Sequence, residues 1–138
     1  GQYTDRAVAG LTMTIPLLDT RERRELKKKN TELEAQIRAK AVSAFSRYQR
    51  AIQEIKQINS DLNRGQAYLL WLKQRVDAGI DYQKDYYKAE TRHYETKAQL
   101  TNAIGKCNEA RLELLSLIKP DSRHELQKKL DTFGGCHE

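Results

Sequence analysis

Proline is almost absent from this chain of 138 residues: there are two, alongside seven glycines, two cysteines and one tryptophan. Proline and glycine are the residues that punctuate secondary structure, so their scarcity excludes a fold built from many short strands and tight turns. Two cysteines exclude a disulfide-dense scaffold. Cys107, Cys136, His93, His124 and His137 do not fall at metal-ligand spacing, so no metal site is predicted. No run of about 18 apolar residues occurs, so no transmembrane helix is predicted. No signal peptide is visible; if the protein is secreted, its export signal has been removed. Gly-rich phosphate loops, nucleophile elbows and metal motifs are missing too, so the sequence offers no catalytic or cofactor-binding residues and the chain reads as a non-enzyme without cofactors.

Charge and helix-forming residues make up the rest. The chain is 32% charged and 38% hydrophobic, with 25 Lys+Arg against 19 Asp+Glu for a net charge of +6. That balance suits long helices carrying a single apolar stripe, and it permits contact with nucleic acid or anionic lipid without requiring either. The basic run Arg21 to Lys29 carries no interleaved aromatics, which argues against single-strand nucleic-acid binding by stacking.

The chain divides into four regions. In the first, Leu11, Met13, Ile15 and Leu17 alternate with Thr12, Thr14 and Pro16, the period of a strand with one apolar face. A lone strand needs a partner, so it is expected to pair with chain outside this sequence or to be disordered. In the second, Asp19 and Thr20 form an N-cap signal, and helical character then runs to Val76. Apolar residues recur there in steps of three, four and seven, from Leu26, Leu33 and Ile37 through Tyr48, Ile55 and Leu62 to Leu72, as in a coiled-coil seam. Gly65 is the place where this helix could kink; an unbroken helix is the favoured reading.

Residues 77–81, Asp-Ala-Gly-Ile-Asp, read as a turn, with Gly79 a C-terminal cap and Asp81 the N-cap of the next helix. That second helix runs from Tyr82 to about Ile118, with a stripe that includes Tyr87, Ala89, Tyr94, Ala98, Leu100, Cys107, Ala110 and Leu114. Lys119-Pro120 ends it. Asp121 or Ser122 is expected to cap a short helix to about Leu130, and Phe133 to Glu138 to fray, with Cys107 a small seam residue and Cys136 in the tail. The predicted fold is therefore all-α: an extended segment over 1–18, an antiparallel helical hairpin over 19–118, and a short helix and tail over 119–138. Tyr68 and Trp71 would fold back near Tyr86 and Tyr87, either as seam packing or as a recognition surface at an exposed tip.

The ordered set of these pieces resembles the TolC family of outer-membrane efflux proteins. The residues that carry the resemblance are the strand Gly10 to Asp19 ending in Pro16, the basic helix start, and Ala44-Phe45-Ser46-Arg47-Tyr48 on the long helix. The tip Arg75-Val76-Asp77-Ala78-Gly79, the return segment Tyr87-Lys88-Ala89-Glu90-Thr91-Arg92 and the Leu-rich end Leu112 to Ile118 complete it. The resemblance spans about residues 8–118. It implies a periplasmic and outer-membrane location in a Gram-negative cell and a role in export. It further implies that the tip, here Arg75, Val76, Ala78, Gly79, Ile80 and Tyr82, docks a periplasmic membrane-fusion adaptor. Leu11, Met13, Ile15 and Leu17 would face lipid. The chain would self-associate, as a trimer if it forms a full channel and as a dimer or other oligomer if it is a fragment. Family members are much longer and carry two such repeats, whereas one strand and one hairpin are legible here. The alternatives are a soluble coiled-coil scaffold that self-associates and, less favoured, a basic helical nucleic-acid-binding protein.

Overall fold

A computed structural model describes residues 4–8, 11–15 and 31–137. Three helices dominate it: α1, Thr31–Asp77, α2, Gln83–Ser116, and α3, Pro120–Phe133. At about 1.5 Å per residue, α1 is roughly 70 Å long and α2 roughly 51 Å. They pack antiparallel as a hairpin, as expected. The N-cap signal at Asp19-Thr20, the basic run Arg21 to Lys29 and Leu17 lie outside the described residues.

The N-terminal segment departs from expectation. Two strands are present, β1, Thr4–Val8, and β2, Leu11–Ile15, paired antiparallel in the register Thr4↔Ile15 to Val8↔Leu11. The partner that β2 needs is thus β1, separated from it in sequence by the dipeptide Ala9-Gly10. The sequence Thr-Asp-Arg-Ala-Val of β1 lacks apolar alternation, so pattern alone passes over it; backbone pairing does not require that alternation.

Why α1 and α2 adhere is visible in their spacing. Ala41, Ala44, Tyr48, Ala51, Ile55, Ile58, Leu62, Gly65, Leu69, Leu72 and Val76 succeed one another in alternating steps of three and four. His93, Thr96, Leu100, Ala103, Cys107, Ala110 and Leu114 do the same on α2. Most of these are buried; from Ala41 to Leu62 on α1 and from Leu100 to Leu114 on α2 they belong to one continuous core, and Leu69, Leu72 and His93 are buried nearer the tip. Alanines at Ala41, Ala44, Ala51, Ala103 and Ala110 let the two backbones approach closely in the base half. The helix does not break at Gly65; it passes through, and the glycine makes room for His93. A Cβ built at Gly65 would stand 2.8 Å from His93 Nδ1.

α3 folds back over the base of the hairpin. Its start differs from the sequence reading: Lys119 is the N-cap and Pro120 occupies the first turn, where a missing N–H costs nothing. Arg123 Nε donates to the carbonyl oxygens of Leu115 and Ile118, both at 3.1 Å, and so satisfies the orphan carbonyls at the end of α2. Leu126 and Leu130 bury against the ridge, and the ring of Phe133 lies 5.9 Å from that of Phe45.

The expectation of a frayed tail is overturned. Cys136 forms a disulfide with Cys107, with Cα atoms 5.6 Å apart and a sequence separation of 29. The fully buried Tyr48 hydroxyl donates to the carbonyl oxygens of Leu130 at 3.1 Å and Gly134 at 2.8 Å, tying down the end of α3. Arg111 pairs with Asp131 at 2.8 Å across the same junction. Nothing in a two-cysteine sequence announces this pairing, because the contact depends on α3 folding back.

Candidate functional site

The tip of the hairpin is a Schellman motif. The N–H of Ile80 donates to the Arg75 carbonyl at 2.9 Å and that of Gly79 to the Val76 carbonyl at 3.0 Å. Gly79 takes φ +75°, the left-handed region that glycine enters without penalty. Asp81 does not cap α2, contrary to the sequence reading. The N-cap is Tyr82, without a side-chain cap bond, and Asp81 instead accepts from Arg75 Nε at 2.5 Å. That ion pair straps the turn, and the Arg75 guanidinium also stacks over Trp71, 4.9 Å from the ring centre.

Of the tip residues singled out in the sequence, Ala78, Gly79, Ile80 and Tyr82 are exposed, and Arg75 and Val76 are half-buried. Ile80 retains 60% and Tyr82 73% of full exposure, a large apolar presentation for two residues in one turn. Of the strand residues, Leu11, Met13 and Ile15 occupy alternate positions of β2 and therefore share one of its faces.

Tyr68, Trp71, Tyr87 and Tyr94 are surface residues rather than seam packing, whereas Tyr86 is half-buried. Tyr68, Trp71, Tyr87 and Tyr94 each keep about half or more of their exposure, and ring contacts run within a helix, Tyr68 to Trp71 and Tyr86 to Tyr87. Tyr68 and Trp71 meet Lys88, Ala89 and Arg92 across an open groove of about 360 Å³, with Arg75, Asp81 and Asp85 at its tip end. The stripe predicted on α2 is corrected accordingly: Tyr87, Tyr94 and Ala98 point away from α1, while Ala103 and His93 lie in the seam.

That correction exposes a pattern that periodicity alone merges with the core. Tyr87, Thr91, Tyr94, Ala98, Thr101, Gly105, Asn108 and Leu112 are spaced four, three, four, three, four, three and four apart, all are exposed, and none is charged. At 100° per residue this row lies roughly half a turn from the buried seam. Charged residues such as Lys88, Glu95, Lys97, Lys106 and Glu109 flank it. α1 carries a comparable outward face of Gln53, Gln57, Ser60, Ala67, Leu70 and Gln74, interrupted by Arg64. In a chain that is 32% charged, an uncharged heptad row on the solvent side is unusual, and its small middle residues permit close helix approach. Counting exposed and buried heptads separately finds it once the hairpin register is known.

Among the described residues no cluster of three or more His, Cys, Asp or Glu could hold a metal ion, and no helix is long and apolar enough to cross a membrane. Comparison with protein-family models, with curated proteins and with solved structures finds no match to this chain.

Proposed function

We propose that this chain is a non-catalytic hairpin component of a periplasmic or outer-membrane export assembly, of the TolC-type kind that its sequence resembles. The hairpins pack side by side, and the tip meets a periplasmic adaptor. The observation that carries this reading is the exposed, uncharged heptad row of α2, centred on Ala98, Thr101 and Gly105, opposite a seam that is already filled. A hairpin that worked alone would gain solubility from charge at those positions. One that lies between two neighbours keeps its outward faces poor in charge, because an ion buried there without a partner is costly; Arg64, the interruption on the α1 face, pairs with Asp61. Two further features support the reading. The turn is held rigid by the Schellman bonds and the Arg75–Asp81 pair while it presents Ile80 and Tyr82. The disulfide suits an oxidising compartment such as the periplasm.

Sedimentation velocity over a concentration series tests the assembly. The wild-type chain should form oligomers, and Ala98→Glu and Thr101→Lys should each return it to monomer without lowering its helix content. A wild-type chain that stays monomeric throughout the series removes the basis of the reading. Capture of a periplasmic adaptor hairpin, lost on Ile80→Glu, separates the export role from that of a plain self-associating scaffold, which would oligomerise and capture nothing.

A further inference from the structure

We propose that the Cys107–Cys136 cystine is a thiol–disulfide exchange site, with Cys136 the sulfur through which a dithiol–disulfide oxidoreductase closes and opens a clasp on the base of the hairpin. The clasp stands whether or not the chain serves in export.

The two sulfurs are unequal. Cys107 is wholly buried in the seam of α2, beside Ala103, Ala110 and Leu114. Cys136 is partly exposed, in the short segment after α3. An incoming thiolate must approach in line with the S–S bond, and with Cys107 wholly buried the partly exposed Cys136 is the residue it can reach. The thiolate bonds to Cys136 Sγ, the bond to Cys107 breaks, and its electron pair leaves on Cys107 Sγ, which takes up a proton. The second thiol of the reagent then displaces Cys136 from the mixed disulfide. The reagent ends oxidised to its own disulfide and the protein holds two thiols; closing the clasp is the reverse. A monothiol carries the exchange only as far as the mixed disulfide on Cys136, which the Cys107 thiol can reverse. A dithiol, which carries its own resolving sulfur, completes it.

The clasp controls a defined part of the fold. α3 has 14 residues, too few to persist as an isolated helix, and it buries only Leu126 and Leu130 within its span. Opening the cystine frees the chain end whose Gly134 carbonyl accepts from Tyr48 and whose Phe133 covers Phe45. The α1–α2 seam uses none of these contacts on its tip side, so the hairpin persists while its base is uncovered.

Reduction of the full chain with dithiothreitol, followed by limited trypsin digestion, tests the clasp. Cleavage after Arg123, Lys128 and Lys129 should accelerate at least about tenfold, as expected when a protected segment opens locally, while sites near the tip keep their rates. Trapping with glutathione and mapping by mass spectrometry should place the adduct on Cys136. An adduct on Cys107, or α3 protection that survives full reduction, overturns the proposal. Cys107→Ala provides the second arm: its remaining Cys136 should take glutathione from oxidised glutathione readily, and an unreactive Cys136 in a folded variant also counts against the proposal.

Discussion

Gly65 and Gly105 make a matched pair of perturbations, because both lie inside helices of the same hairpin and differ in what a methyl group would meet. At Gly105 nothing lies within 4 Å of an added Cβ. Gly105→Ala should therefore recover only the helix preference of alanine, about 1 kcal/mol, and raise Tm by about 3–6 °C for a domain of this size. At Gly65 the same methyl would stand 2.8 Å from His93 Nδ1 and 3.4 Å from its Cε1. The imidazole is buried between the helices and cannot swing away as a lysine tip would. Overpacking of this kind costs about 1–3 kcal/mol, which offsets or exceeds the propensity gain and leaves Gly65→Ala neutral to about 2 kcal/mol less stable. The decisive measurement is a double-mutant cycle by urea denaturation, at concentrations where the chain is monomeric. In a His93→Ala background the clash is gone, and Gly65→Ala should turn stabilising. The coupling between the two sites should reach about 1–3 kcal/mol, as for residues in direct contact. If Gly65→Ala stabilises as much as Gly105→Ala, or if its effect is the same with and without His93, the close crossing at these residues is refuted.

The sequence discloses the hairpin because its two signals are local. The seam is a spacing, and the turn is one glycine followed by an aspartate; neither requires knowledge of what lies far away. Local chemistry still misassigns Asp81, since the rule that aspartate caps helices ignores a guanidinium six residues earlier that competes for the same carboxylate. The exposed row of α2 is legible as apolar and small residues, but Tyr87, Tyr94 and Ala98 merge with the buried stripe because both rows share a seven-residue period. Only the phase between them, about half a turn, separates core from surface. The disulfide and the Tyr48 bonds lie beyond sequence reasoning for a different reason. They join residues 29 and more than 80 positions apart through the path of α3, and no spacing encodes that path. β1 escapes the pattern because its residues carry no apolar alternation, and the backbone supplies the pairing.

Three further expectations rest on single side chains. Gly79→Val should destabilise the hairpin by about 1–2 kcal/mol, the cost of placing a side chain at φ +75°, and urea denaturation would show it as a lower midpoint with an unchanged slope. Loss of the cystine in Cys136→Ser should cost about 3.6 kcal/mol on the loop-entropy account of a 29-residue separation, read from the shift of the thermal transition; a loss below about 1 kcal/mol would mean that α3 holds its place by packing alone. The last expectation concerns alkaline pH. Burial pushes the Tyr48 hydroxyl above its ordinary value of 10.0, with Arg111 opposing the shift and Asp131 adding to it. A group whose folded-state pKa is raised contributes its full stability below the unfolded value, and loses it as pH climbs from there through the folded value. Stability should therefore be level on this account up to about pH 10 and fall above it. The unfolded chain releases the proton first, while the folded chain holds it between the Leu130 and Gly134 carbonyls. Tyr48→Phe should be less stable at neutral pH by about 1–2 kcal/mol, because two carbonyl oxygens lose their donor. It should also have a shallower decline above pH 10, because the linked proton is gone. A variant whose alkaline slope matches wild type would show that Tyr48 is not the group whose ionisation loosens the base.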